Sequence, residues 1–182
     1  MQAEELYFLL KPFCELGSVS GRTRVQKIFY LLQSIGYPTE LEYFLHYYGP
    51  YSEDLTSFLG YACSAGFLRV TPPIQVGVDS VRFDYFVTDA GKEMVTNLES
   101  KVISQAQARK AAEFLELARE LNSKPPDVLE LAATILYFRN ERGCDLKAAT
   151  EKTKAMKPQK AGDPAVLKAA QELLAGIAQS AG

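Results

Sequence analysis

The chain has no tryptophan, one histidine and three cysteines in 182 residues, and each scarcity removes a class of chemistry. His46 alone cannot build a zinc site, because such sites draw several His, Cys or carboxylate ligands together at set spacings. Cys14, Cys63 and Cys144 are far apart, odd in number and outside any C-x-x-C spacing. They argue against a disulfide framework and for buried thiols in a reducing compartment. The twelve glycines are dispersed, with neither G-x-x-x-x-G-K nor G-x-G-x-x-G among them, so no phosphate loop is expected. Ser52 lies near His46 in the chain, but no serine is framed as a nucleophile elbow. No apolar run approaches the ~18 residues of a membrane span. The opening MQAEELYFLLKPF carries two acids where a signal peptide would carry positive charge. These absences predict a cytoplasmic, non-catalytic protein with no metal, no cofactor and no membrane partner.

What is present is an ordinary globular composition, 47% hydrophobic and 23% charged, in a length that suits one sizeable domain or two small ones sharing a core. The net charge of −2 conceals an asymmetry. Residues 1–99 carry 7 Lys/Arg against 12 Asp/Glu, a balance of −5, and residues 100–182 carry 13 against 10, a balance of +3. A general nucleic-acid binder would be basic overall or along one stripe.

Leu6, Leu9, Leu10, Phe13 and Leu16 recur at helical spacing and predict a first helix over 4–16, stopped by Gly17. Pro12 inside it predicts a kink or an early end. A second helix over 22–35 places Val25, Ile28, Phe29, Leu32 and Ile35 on one face, with Arg24 and Lys27 on the other. The aromatic run 42–48 reads as extended before the Gly49-Pro50 turn. Ser52 is an N-cap for a third helix, which carries a core stripe of Leu55, Phe58, Leu59 and Ala62. Strands follow at 67–70 and 80–87 around Thr71-Pro72-Pro73, and Thr88 caps the next helix. This is the element order of a winged helix. Beyond it the pattern is helical to about residue 122, with a break near 99–104, and helices are predicted over 127–140, 145–156 and 164–179. The fold class expected is mainly α with a small β-ribbon (α+β): a winged-helix-like region over 1–99 and an all-helical region over 100–182, sharing one core.

The most unusual chemistry lies between Gly21 and Ser52. His46, Tyr47, Tyr48 and Tyr51 cluster around Gly49-Pro50. Read plainly, this is a hydrophobic elbow whose tyrosines pack on the core and keep their hydroxyls wet. Read functionally, it is a partner surface, because tyrosine-rich patches are frequent interface hot spots. Arg22, Arg24 and Lys27 form the basic cluster of the first half. Cations near a helix N-terminus are locally unfavourable, which hints at an external anionic partner. Lys147, Lys152, Lys154, Lys157 and Lys160 form a second basic group, read as a solvated face.

Together GRTRVQKIFYLL, HYYGPYS and YFVTDAG, extended by ELAATILYF (130–138) and KAMKPQK (154–160), make a chain that resembles the Panacea or SocA-like antitoxin superfamily, nearest its uncharacterised YwgA-like branch. The resemblance draws attention to Arg22, Thr23, Gln26 and Lys27 at the helix start and to Tyr48, Gly49 and Pro50 in the turn. It implies a non-catalytic prokaryotic protein, and the antitoxin branch binds a toxin or presents it to a protease. That branch tends to carry a Trp before its Tyr-Gly-Pro, where this chain has His46-Tyr47. The expected function is therefore a regulatory protein-binding module whose partner is another protein, a toxin or protease substrate among the classes implied. The expected partner-binding residues are Arg22, Arg24, Lys27, His46, Tyr47, Tyr48, Gly49, Pro50 and Tyr51. The competing reading is a winged-helix transcription regulator. Its groove-entering helix would be the third, yet residues 52–65 contain no Lys, Arg, Asn or Gln and do contain Glu53 and Asp54, a poor match to phosphates and base edges. In the wing, Asp79 and Asp84 offset Arg69 and Arg82.

Overall fold

The computed structural model describes residues 2–77 and 80–180; Asp79, named above in the wing, lies outside them. The elements run α1 (Ala3–Leu16), β1 (Ser18–Ser20), α2 (Arg22–Gln33), β2 (Phe44–His46), β3 (Gly49–Tyr51), α3 (Glu53–Ser64), β4 (Leu68–Val70), β5 (Ile74–Gly77), β6 (Ser80–Arg82), β7 (Asp84–Val87), α4 (Asp89–Lys101), α5 (Gln105–Glu113), α6 (Leu115–Ser123), α7 (Pro126–Asn140), α8 (Leu146–Met156), α9 (Pro158–Ala161) and α10 (Pro164–Ser180). The architecture is helical with small antiparallel sheets, an α+β arrangement.

Of the kink or early end expected at Pro12, the early end does not occur: helix α1 continues through it to Leu16. A mid-helix proline removes the N–H that would have bonded the carbonyl four residues earlier. That carbonyl, on Phe8, instead accepts from the Tyr37 hydroxyl at 2.8 Å. A tertiary hydrogen bond thus replaces the local one.

β4 and β7 pair antiparallel with Leu68 opposite Val87, as the two predicted strands require. The second of them is shorter than its sequence suggests. Its first part is the separate strand β6, which turns back on β5, while β7 sits at the centre of the order β1-β7-β4. Phe83 is the hinge: its carbonyl accepts from Gly21 N, and Asp84 is fastened to Thr71 by both its N–H and its carbonyl. β1, three residues long, places Val19 opposite Tyr85.

Two caps are those the sequence advertises: Ser52 accepts from Leu55 N and Thr88 from Gly91 N. Asp145, expected as the first residue of its helix, is its N-cap and accepts from Ala148 N. α7 is the central helix, with every residue from Val128 to Tyr137 buried. It packs against α2, β3, α8 and α10, while α6 packs on α1 and α2. Residues from both halves of the chain therefore close around α2. Among the described residues no helix is long and apolar enough to cross a membrane.

Candidate interaction site

The chain here is a short hairpin that turns at Tyr47-Tyr48; Gly49-Pro50, expected to be the turn, instead opens its second strand β3, with Phe44 opposite Tyr51, Leu45 opposite Pro50 and His46 opposite Gly49. Pro50 fits a pairing position that needs no N–H, and Gly49 takes the left-handed backbone angle φ +86°. A Cβ at Gly49 would lie 2.6 Å from Thr134 Oγ1 and 3.4 Å from Lys27 Cε. The hairpin is thus pressed directly on α7 and α2.

Three polar side chains clamp it. Gln26 faces Ser52 and mimics a neighbouring strand: its Oε1 accepts from Ser52 N at 2.8 Å, and its Nε2 donates to Ser52 O at 2.9 Å. Lys27 Nζ donates to Pro50 O at 2.6 Å, and Lys157 Nζ donates to Tyr47 O at 2.6 Å. Lys157 is in turn held by Glu130 at 2.6 Å, whose other carboxylate oxygen takes Lys160 at 2.6 Å. Lys160 also reaches Asp127 at 2.8 Å. Burial pulls the Lys160 pKa down, but the hydrogen bonds its ammonium donates to the two carboxylates outweigh it and hold the pKa above the ordinary lysine value.

Lys27 and Glu130 are only 1% and 2% exposed, so both are interior charges. Among the described residues Lys27 forms no ion pair. Burial, opposed by the attraction of Glu130 and reinforced by Lys157 and Lys160, pushes its pKa down to about 7. Stability follows with a definite sign. An unfolded lysine titrates near ~10.4, so between about pH 7 and that value the unfolded chain binds the extra proton. Wild-type stability is then expected to rise across this window relative to Lys27→Met, as read by urea denaturation at several pH values. A difference that stays flat would show that Lys27 keeps its proton in the folded chain.

The surface above this clamp is aromatic. Tyr47, Tyr48 and Phe44 are 73%, 49% and 44% exposed, His46 is exposed and Tyr51 half-buried. Their rings touch in series. Phe44 meets Tyr51 at 5.6 Å between centroids, Tyr51 meets His46 at 5.5 Å, His46 meets Tyr48 at 6.1 Å and Tyr48 meets Tyr47 at 5.0 Å. Thr56, on the first turn of α3, donates to the Tyr51 hydroxyl at 2.8 Å. Five rings thus form a continuous strip over a braced turn.

The residues singled out in the sequence therefore divide. His46, Tyr47, Tyr48 and Tyr51 come together on the strip, and exposed Arg22 lies beside it, with its guanidinium at the Tyr85 hydroxyl and over the Phe83 ring. Gly49 and Pro50 are buried beneath. Lys27, expected on the exposed face of α2, is interior because α7 covers that face. Arg24 is turned inward as well: its Nη1 donates to Asn122 O and Lys124 O at 2.6 Å each, closing the C-terminus of α6. Lys157 and Lys160, read as part of a solvated face, instead neutralise Glu130. Phe44, Thr56, Glu130 and Thr134 received no role from sequence, and Lys157 only that of a solvated face. The signal was nonetheless there, since Glu130, Thr134 and Lys157 lie in two of the stretches that carry the resemblance.

Over 130 residues, 71% of this chain and 72% of the relative, the sequence is 30% identical to "Uncharacterized protein YwgA" of Bacillus subtilis (strain 168). The chain belongs to the YwgA family. No family model matches it. In this member of the YwgA family, the stretches GRTRVQK, HYYGPYS, ELAATILYF and KAMKPQK converge on one hairpin, each supplying a part of the clamp or of the strip.

Proposed function

We propose that this protein is a non-enzymatic regulatory module of winged-helix build that binds another protein through the strip of Phe44, His46, Tyr47, Tyr48 and Tyr51. The observation that carries the reading is exposure on a rigid base. Hot spots are enriched in Tyr and Arg, and rings already fixed by a braced backbone give up little freedom on docking. The three-stranded order β1-β7-β4, with the β5–β6 extension and α2 and α3 between its strands, supports the winged-helix comparison. The resemblance to SocA-like antitoxins supports an antitoxin or proteolytic adaptor as the role. Protein is favoured over DNA because Glu53 and Asp54 are exposed at the start of α3, where a groove-reading helix needs donors and cations.

The test is affinity capture from native cells with wild type and with Tyr47→Ala/Tyr48→Ala. A partner held by wild type is expected to bind the variant with an affinity lower by ~2 kcal/mol or more. The melting temperature should be little changed, because both side chains are exposed. Retained affinity in the variant rejects the strip, and submicromolar, salt-sensitive binding of wild type to duplex DNA replaces the reading with transcription regulation.

A further inference from the structure

Two of the three cations that hinted at an anionic partner are consumed inside the fold: Arg24 closes α6 and Lys27 sits on Pro50 O. Lys157 and Lys160, from the second basic group, neutralise Glu130. What remains around the Phe44–Tyr51 end of the strip has the opposite sign. Glu42, Glu53 and Asp54 are exposed, and none forms an ion pair among the described residues. Tyr51 is tied by its hydroxyl to Thr56, so its ring runs along the turn of α3 that bears Glu53 and Asp54. Arg22 is the exposed cation on this side, and it is engaged with Tyr85 and Phe83. At the far end Lys157 lies over the Tyr47 ring at 5.8 Å. The other four rings, Phe44, His46, Tyr48 and Tyr51, have no such cation among the described residues.

Resting on the reading that this strip is the contact surface, we infer that its occupant is an extended, arginine- or lysine-bearing segment of the partner protein. Guanidinium and ammonium groups are attracted to the faces of aromatic rings, arginine most often. Carboxylates at the edge of the strip add a complementary field that speeds encounter and disfavours acidic competitors. Both interactions are exposed, so each is modest alone and the field is screened by salt. Several together select a basic chain over an acidic one.

Three fluorescein-labelled peptides of equal length test this: alternating Arg-Ser, alternating Asp-Ser and an uncharged Pro-Ser repeat, titrated into the full-length protein with anisotropy as the readout. The Arg-Ser peptide is expected to bind at least about tenfold more tightly than either of the others and to weaken as salt is raised. Phe44→Ala/Tyr48→Ala and, separately, Glu53→Gln/Asp54→Asn should each weaken it about fivefold or more. Every substituted side chain is exposed, so circular dichroism should be unchanged. Equal or tighter binding of the Asp-Ser or Pro-Ser peptide, or no measurable binding of Arg-Ser, overturns the inference. Arg-Ser binding that ignores the aromatic substitutions also overturns it, as attraction to the acidic protein at large. The two readings fail separately. If a captured native partner needs Tyr47 and Tyr48 but tolerates Glu53→Gln/Asp54→Asn, the surface stands and the basic occupant falls.

Discussion

Gly49→Ala is expected to destabilise the protein by about 3 kcal/mol or more, from two sources that act together. A residue with a Cβ at φ +86° occupies a left-handed conformation costing ~1–2 kcal/mol. The added methyl would also meet Thr134 Oγ1 at 2.6 Å, and overpacking a closed interior typically costs ~1–3 kcal/mol more. Thr134 cannot swing aside freely, because it is fully buried and its hydroxyl donates to Glu130 O at 2.7 Å. At roughly 2–4 °C per kcal/mol for a chain of this size, the melting temperature should fall by roughly 6–12 °C. Gly49→Ala/Thr134→Ala should recover part of the loss, since it removes the collision and leaves the backbone strain. A drop under about 1 kcal/mol would mean that the hairpin slides away from α7 at little cost.

Glu130→Gln is expected to cost about 3–5 kcal/mol, the usual consequence of removing one partner from a buried ion pair. The carboxylate serves two ammonium groups, and Lys157, 4% exposed at its side chain, would keep only neutral acceptors, the carbonyl of Tyr47 and the Gln amide oxygen, with no counter-charge. Lys160 keeps Asp127 and is the less affected. The companion variant Glu130→Met/Lys157→Met removes both buried charges and fills the space with apolar atoms, an exchange that is often close to neutral. Denaturant titrations of Glu130→Met, Lys157→Met and the double should therefore be strongly non-additive. Additive losses would show that Glu130 and Lys157 stabilise the fold independently.

The parts of the fold that local chemistry controls were legible in the sequence. Ser52 and Thr88 cap helices because a short side-chain oxygen meets the free N–H groups there, and those signals lie within a few residues. β4 and β7 were legible from their apolar residues and the turn between them. β1 and β5 were not, since Ser-Val-Ser and Ile-Gln-Val-Gly are too short for alternation to declare itself. The site was half legible. Its rings announced themselves by composition, but lysines are so rarely interior that Lys27 and Lys157 read as solvated until α7 placed Glu130 between their helices. Pro12 failed as a breaker for a similar reason. The hydroxyl that satisfies Phe8 O comes from Tyr37, and no local window contains both.

The clamp on the hairpin also has a temporal side. Residues 44–51 leave the ribosome well before the residues that fix them, Glu130, Thr134 and Lys157. Gln26 and Lys27 precede the hairpin in the chain, but the other side of the clamp is complete only when α7, with α8 packed on it, meets α2. A chain truncated before Lys157 would carry the whole Tyr-Gly-Pro sequence without its shape. A partner that recognises the shape thereby recognises a finished molecule.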